Sequence, residues 1–220
     1  MIIRAKNIRK KYGNLEVLKD VSIDIPQGKI VAITGKSGAG KSTLLHILGT
    51  LDKPDAGTVA FEEKELSFKK EADLSEFRNK KIGFVFQFHH LLPEFTAIEN
   101  VMIPAFLAGK SKSEAQAMAE KIMAKMGLSA RLHHKPSEMS GGEQQRTAVA
   151  RALINNPLVI FADEPSGNLD TENAQSLHNL FLSLRDEWGQ SFVIVTHNME
   201  LAGFADIHIQ MEDGKIIGHS

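Results

Sequence analysis

Four short runs along this chain are almost wholly apolar: IVAIT at 30–34, IGFVF at 82–86, LVIFA at 158–162 and FVIV at 192–195. A strand with one buried face alternates, whereas a strand covered on both faces does not, so these runs predict the inner strands of a parallel sheet. The start of the chain reads differently. Val21, Ile23 and Ile25 alternate with polar residues in VSIDIPQG, and together with Ile2 and Ile3 they predict a small antiparallel sheet within the first 28 residues. Near the end, Asp213-Gly214 separates two alternating segments and predicts a two-residue hairpin turn.

Between Gln87 and Ser140 the period changes to that of helices. Ser111 and Glu114 spell a capping box, Ala115, Met118, Ala119, Ile122 and Met126 fall on one helical face, and Gly127 supplies a stop. Core packing explains the methionines on that face. The expected organisation is a single α/β domain over 1–220, in which residues 1–87 and 155–220 form a core with an antiparallel sheet and 88–154 form an inserted helical lobe.

Composition narrows the partners. A formal net charge of −1, with no long run of like charge, gives nucleic acid or an anionic membrane surface no general electrostatic hold, so no nucleic-acid partner is expected. The absence of cysteine excludes a disulfide framework and thiolate metal sites, which fits a reducing compartment. No apolar run approaches the ~18 residues of a membrane span, and MIIRAKNIRKKYG lacks the apolar core of a signal peptide, so a cytoplasmic protein is expected.

The chemistry concentrates where the buried strands end. Residues 35–43, GKSGAGKST, follow IVAIT and precede the helical-looking LLHILG, which fits the phosphate-binding pattern G-x-x-x-x-G-K-[ST] in its required context. Gly35, Gly38 and Gly40 free the backbone so that amides from Gly35, Lys36, Ser37, Gly38, Ala39 and Gly40 onward can converge on phosphate oxygens. Lys41 supplies a point charge to the β- and γ-phosphates, Ser42 a hydroxyl for Mg2+, and the helix N-terminus at Thr43 a favourable dipole. A carboxylate at the carboxyl end of a buried strand sits where parallel sheets bind ligands, so Asp163 can hold Mg2+ opposite Ser42. Glu164 is then the candidate base for a water attacking the γ-phosphate.

With these residues in hand, the chain resembles the ATP-binding subunits of ABC transporters over essentially its whole length. MSGGEQQ at 139–145 is similar to the signature segment LSGGQ of that family, with Met139 for leucine and Glu143 for glutamine. Ser140 and Glu143 also spell a capping box, a reading compatible with Gly141 and Gly142 letting phosphate approach bare backbone. The resemblance implies roles for Gln87 in linking Mg2+ and water to the lobe, for His197 at the γ-phosphate, for 166–170 (SGNLD) as the loop after the base, and for Tyr12 in stacking on adenine. It also implies ATP and Mg2+ as cofactors and a head-to-tail pair, in which Ser140–Gly142 of one copy close on the phosphate loop of the other.

Within that family, QFHHLLPEFTAIENV at 87–101, STLLHILGTLDKPDAG at 42–57 and ADEPSGNLD at 162–170 resemble the branch serving bacterial lipoprotein-releasing systems. That implies two transmembrane permease subunits, lipoprotein cargo and a peripheral place on the cytoplasmic face of the inner membrane. Three alternatives stay open: the ATPase of a macrolide or peptide exporter, a cell-division ATPase regulating peptidoglycan hydrolases, and a soluble scaffold ATPase. The pairs His89-His90 and His133-His134 lack the spacing of metal ligands on one helix face, so no metal beyond Mg2+ is expected.

Overall fold

The computed structural model describes residues 1–219. It begins with the hairpin of β1 (Ile3–Tyr12) and β2 (Leu15–Ile25), where Val21, Ile23 and Ile25 point into the core and the residues between them outward. Next, β3 (Ile30–Thr34) runs through the glycine loop into α1 (Lys41–Leu48). β4 (Ala56–Phe61) and the two-residue β5 (Lys64–Glu65) complete a four-stranded antiparallel sheet of order β2-β1-β4-β5. Then α2 (Glu71–Lys81) feeds β6 (Ile82–Phe86), and α3 (Ala97–Leu107), α4 (Lys112–Lys125) and α5 (Gly141–Leu153) precede β7 (Val159–Asp163). α6 (Thr171–Trp188), β8 (Ser191–Val195), the short α7 (Met199–Gly203) and the hairpin of β9 (Ile207–Glu212) and β10 (Lys215–His219) follow.

The second sheet has the order β10-β9-β3-β8-β7-β6 and is parallel except for β10. Its inner strands show why the apolar runs do not alternate. Ile30, Ile160, Ala162, Phe192 and Ile194 pack into one cluster with α3 to α6, while Val31, Ile33, Val159, Phe161, Val193 and Val195 pack into another with α1 and the antiparallel sheet. The carboxyl ends of β3, β6, β7 and β8 therefore share one edge, and the loops after Thr34, Phe86, Asp163 and Val195 open there.

Local signals behave as their chemistry requires. Asp213 and Gly214 both take positive φ, 47° and 78°, in the β9–β10 turn. Reciprocal capping boxes form at Ser111/Glu114 and Ser140/Glu143, and a third, at Thr96/Glu99, opens α3. α5 stops at Leu153, four residues before Pro157. Asn156 precedes Pro157, whose ring disfavours right-handed helix at that position, and it takes φ of 50° instead.

Candidate active site

The glycine loop leaves β3 at Thr34 and turns into α1 at Gly40, which caps the helix with φ of 94° and no side-chain hydrogen bond. A Cβ at Gly40 would lie 2.9 Å from the Val17 carbonyl oxygen and 2.8 Å from Leu18 Cδ2, so the approach of β2 excludes any other residue. Helices α3, α4, α5 and α6 spend their first N–H groups on Thr96, Ser111, Ser140 and Asp170, and each carries an acid in its first turn. By contrast, α1 has neither, so the positive end of its dipole and its amides stand ready for an anion.

Lys41 is buried, and its Nζ donates to the carbonyls of Gly35 (2.8 Å) and Lys36 (3.0 Å), which holds the ammonium inside the loop. The Ser42 hydroxyl donates to Asp163 Oδ1 at 3.1 Å. Burial pushes the Asp163 carboxyl above its ordinary range, opposed by the Ser42 hydrogen bond, so a cation here would relieve a desolvated carboxylate. Among the described residues no cluster of three or more His, Cys, Asp or Glu side chains is gathered for a metal. A hydroxyl and one carboxylate suit Mg2+, which keeps several waters and shares phosphate oxygens rather than filling a protein cage.

Glu164 follows at the end of β7 with φ of 47°, its N–H donating to the Val195 carbonyl at 2.8 Å. A non-glycine residue in that left-handed region is strained, and such strain concentrates at functional sites. The Glu164 carboxylate pairs with His197 Nδ1 at 2.8 Å and accepts from the His197 backbone N–H at 3.2 Å. Tyr12, Leu15, Val17, Ser37 to Thr43, Glu164 and His197 together line an open cleft of about 500 Å3.

Gly35, Lys36 and Asp163 adjoin that lining without being part of it, and two further groups of expected site residues lie outside the cleft. Gln87 is bound to the loop after Glu164: its Nε2 donates to Asn168 Oδ1 at 2.9 Å, and Asn168 Nδ2 donates to the Gln87 carbonyl at 3.2 Å. Ser140, Gly141, Gly142 and Glu143 begin α5 away from the phosphate loop, with Gly142 packed on the Asn173 side chain of α6. Gln145, absent from the sequence reading, is buried and donates from Nε2 to the Pro165 carbonyl at 2.6 Å, which ties α5 to the turn carrying Glu164. Leu15 and Val17 were also missed. Leu15 pairs across the β1–β2 hairpin with Tyr12, so only the hairpin register could have pointed to it.

A profile described as ABC transporter matches residues 18–167. The chain belongs to the ABC transporter family. It is 61% identical over 215 residues, 98% of this chain and 99% of the other, to the lipoprotein-releasing system ATP-binding protein LolD of Bacteroides thetaiotaomicron. The protein of the same name from Cytophaga hutchinsonii is 55% identical over 216 residues, 98% of this chain and 99% of that one. Among solved structures, the dimeric post-hydrolysis state of the ATP-binding cassette MJ0796 bound to ADP and Pi superposes with a TM-score of 0.90 at 37% identity, covering 100% of this chain and 98% of that one. The family assignment accounts for the fold: a parallel nucleotide-binding sheet, an antiparallel sheet beside it and a helical part.

Proposed function

We propose that this chain is the ATP-hydrolysing subunit of a system that releases outer-membrane-directed lipoproteins from the inner membrane. It works as a head-to-tail pair on the cytoplasmic face, with two transmembrane permease subunits that handle the cargo. The observation that carries this reading is identity along nearly the whole chain to relatives named for lipoprotein release, on a cleft built for ATP hydrolysis.

Residues 35–43 grip the phosphates of ATP through backbone amides, and Lys41 places its charge on the β- and γ-phosphates. Ser42 and Asp163 hold Mg2+, which when bound neutralises charge on the transferring phosphoryl group. Glu164 orients and polarises the attacking water. Its position is over-determined by the Val195 carbonyl below it and by His197 beside it. His197 also contacts the γ-phosphate, Gln87 joins the Mg2+ and water to the helices that follow, and Tyr12 stacks on adenine. Ser140 to Glu143 act on the ATP of the second copy through the hydroxyl and backbone at the start of α5, the Glu143 carboxylate being committed to the Ser140 N–H and Arg131.

Residues 88–154 are the lobe that couples ATP hydrolysis to the membrane partner. The segment after Gln87 suits that contact: Phe88 and Leu107 are exposed by 70% and 76%, while Arg151 holds the His89 and His90 carbonyls at 2.6 Å each. No helix among the described residues is long and apolar enough to cross a membrane.

The test is depletion of the protein in its host, followed by separation of inner and outer membranes and quantification of lipoproteins in each. Retention in the inner membrane, cured by the intact chain but not by Glu164→Gln, is the expected result. Normal sorting with filamentous cells would transfer the reading to a division regulator.

A further inference from the structure

Tyr12 is held at the mouth of the cleft by residues outside every motif of the site. Asp52, on the connection between α1 and β4, accepts hydrogen bonds from the Tyr12 hydroxyl at 2.6 Å, from Lys10 Nζ at 2.7 Å and from the Lys53 N–H at 2.7 Å. Lys10 also donates to the Lys53 carbonyl at 2.8 Å, and its ammonium stands 5.1 Å from the centroid of the Tyr12 ring. A lysine only 6% exposed has committed its stem to packing and its charge to a partner, and Asp52 is that partner. Thr43 of the phosphate loop lines the same cleft as Tyr12.

A tyrosine at a strand end, half exposed, would ordinarily sample several rotamers. Here one end of the ring is pinned by the carboxylate and the ring itself is flanked by the ammonium. Because Asp52 sits on the stretch leaving the phosphate-loop helix, the pin fixes the ring relative to Gly38–Thr43. We infer that Asp52, with Lys10, is a positioning residue for nucleotide binding, clamping the Tyr12 phenol so that its ring is a preformed platform for the base. This rests on the stacking role given to Tyr12 above. Immobilising a free side chain on binding weakens affinity by about three- to tenfold, which is the gain the clamp provides in advance.

Titrating the purified full-length chain with a fluorescent ATP analogue, and measuring turnover at saturating ATP, tests the clamp. Tyr12→Ala examines the platform itself: unchanged affinity would remove the stacking role and the clamp with it. If Tyr12→Ala weakens binding, Tyr12→Phe should weaken it about three- to tenfold, and Asp52→Ala should do the same with saturated turnover retained. The double variant should be no weaker than either single one. Tyr12→Phe keeps the Lys10–Asp52 pair intact, so its effect does not depend on how Asp52→Ala folds. Normal affinity in both would overturn the clamp and leave the platform standing.

A second readout is direct, because Tyr12 is the sole tyrosine of the chain. Its phenol is pushed above the ordinary tyrosine range chiefly by the hydrogen bond to Asp52, with burial and the charges of Asp52 and Asp55 adding and Thr43 opposing. Lys10 is the cation facing it. In Asp52→Ala the phenolate absorbance should appear at lower pH than in the wild type. An unmoved titration would show that the bond is not made in solution and would overturn the inference.

Discussion

Two helices of this chain begin beside glycines, and they use the same physics to different ends. α1 starts at Gly40 without a cap, its first turn free of acids, and its N-terminus opens into a cleft shared with Glu164 and His197. α5 starts at Ser140 with a full capping box, and its glycines face α6 and the loop after Glu164 rather than that cleft. The first, on the function proposed above, is a phosphate grip complete within one chain. The second is an edge presented outward, and the proposed head-to-tail pair is the arrangement in which both serve one ATP.

The largest effect that sharpens this contrast is expected from Glu164→Gln. The amide keeps the side chain's size but cannot draw a proton from water, so turnover should fall roughly 100- to 10,000-fold while ATP binding persists. Sizing the variant with ATP and Mg2+ should reveal an accumulated pair. A monomer with normal turnover would take Glu164 out of the chemistry and leave the α1 cleft as a binding site only.

Gly142→Ala probes the other region. The new Cβ would meet the Asn173 side chain, whose Nδ2 donates to both Asp170 oxygens at 3.0 and 2.9 Å, so the cap of α6 must give way as well. Overpacking of this kind costs typically about 1–3 kcal/mol, and turnover should fall about tenfold while a single chain binds nucleotide normally. Equal losses of both would mean that the two regions are not separable, and the contrast would fail.

Gln145→Leu tests a side chain that joins them. Its loss leaves the buried Pro165 carbonyl without its 2.6 Å donor, at a cost of about 1–3 kcal/mol in stability. If the bond also sets the Glu164 turn, saturated turnover should drop several-fold with the KM for ATP unchanged. A pure loss of melting temperature would confine Gln145 to packing.

How much of this was readable in advance follows from how local each feature is. IVAIT and FVIV announce buried strands because both faces are covered, and GKSGAGKST needs only its flanking strand and helix to be interpreted. The Ser140/Glu143 box is likewise complete within four residues. α2 stayed hidden because its residues are mostly charged and only Leu74 is buried, while Arg78 anchors it to the distant Thr50 carbonyl at 2.7 Å. Sequence separation also hid the Tyr12–Asp52 bond, the reciprocal Gln87–Asn168 bonds and the pairing of β4 with β1. No local period encodes such pairings; they depend on which elements the sheets bring together.

The smallest effect is expected at one of the two departures within the signature segment, Glu143 in the place of glutamine. Its carboxylate accepts from the Ser140 N–H at 2.8 Å and pairs with Arg131 at 2.7 Å, and these two, in that order, hold its carboxyl below the ordinary range. A folded-state value lower than the unfolded one means that the added stability is present above the unfolded value and is lost as pH falls through the folded one. A glutamine can still accept from Ser140 but cannot make the ion pair. Glu143→Gln should therefore cost at most about 1 kcal/mol at neutral pH, since the pair is partly solvated. The gap in melting temperature between wild type and variant should close as pH falls into the acid range, and turnover should be unchanged. A loss of turnover as large as that of Gly142→Ala would mean that the carboxylate acts on the partner's ATP, so that the capped helix start is more than a presented edge.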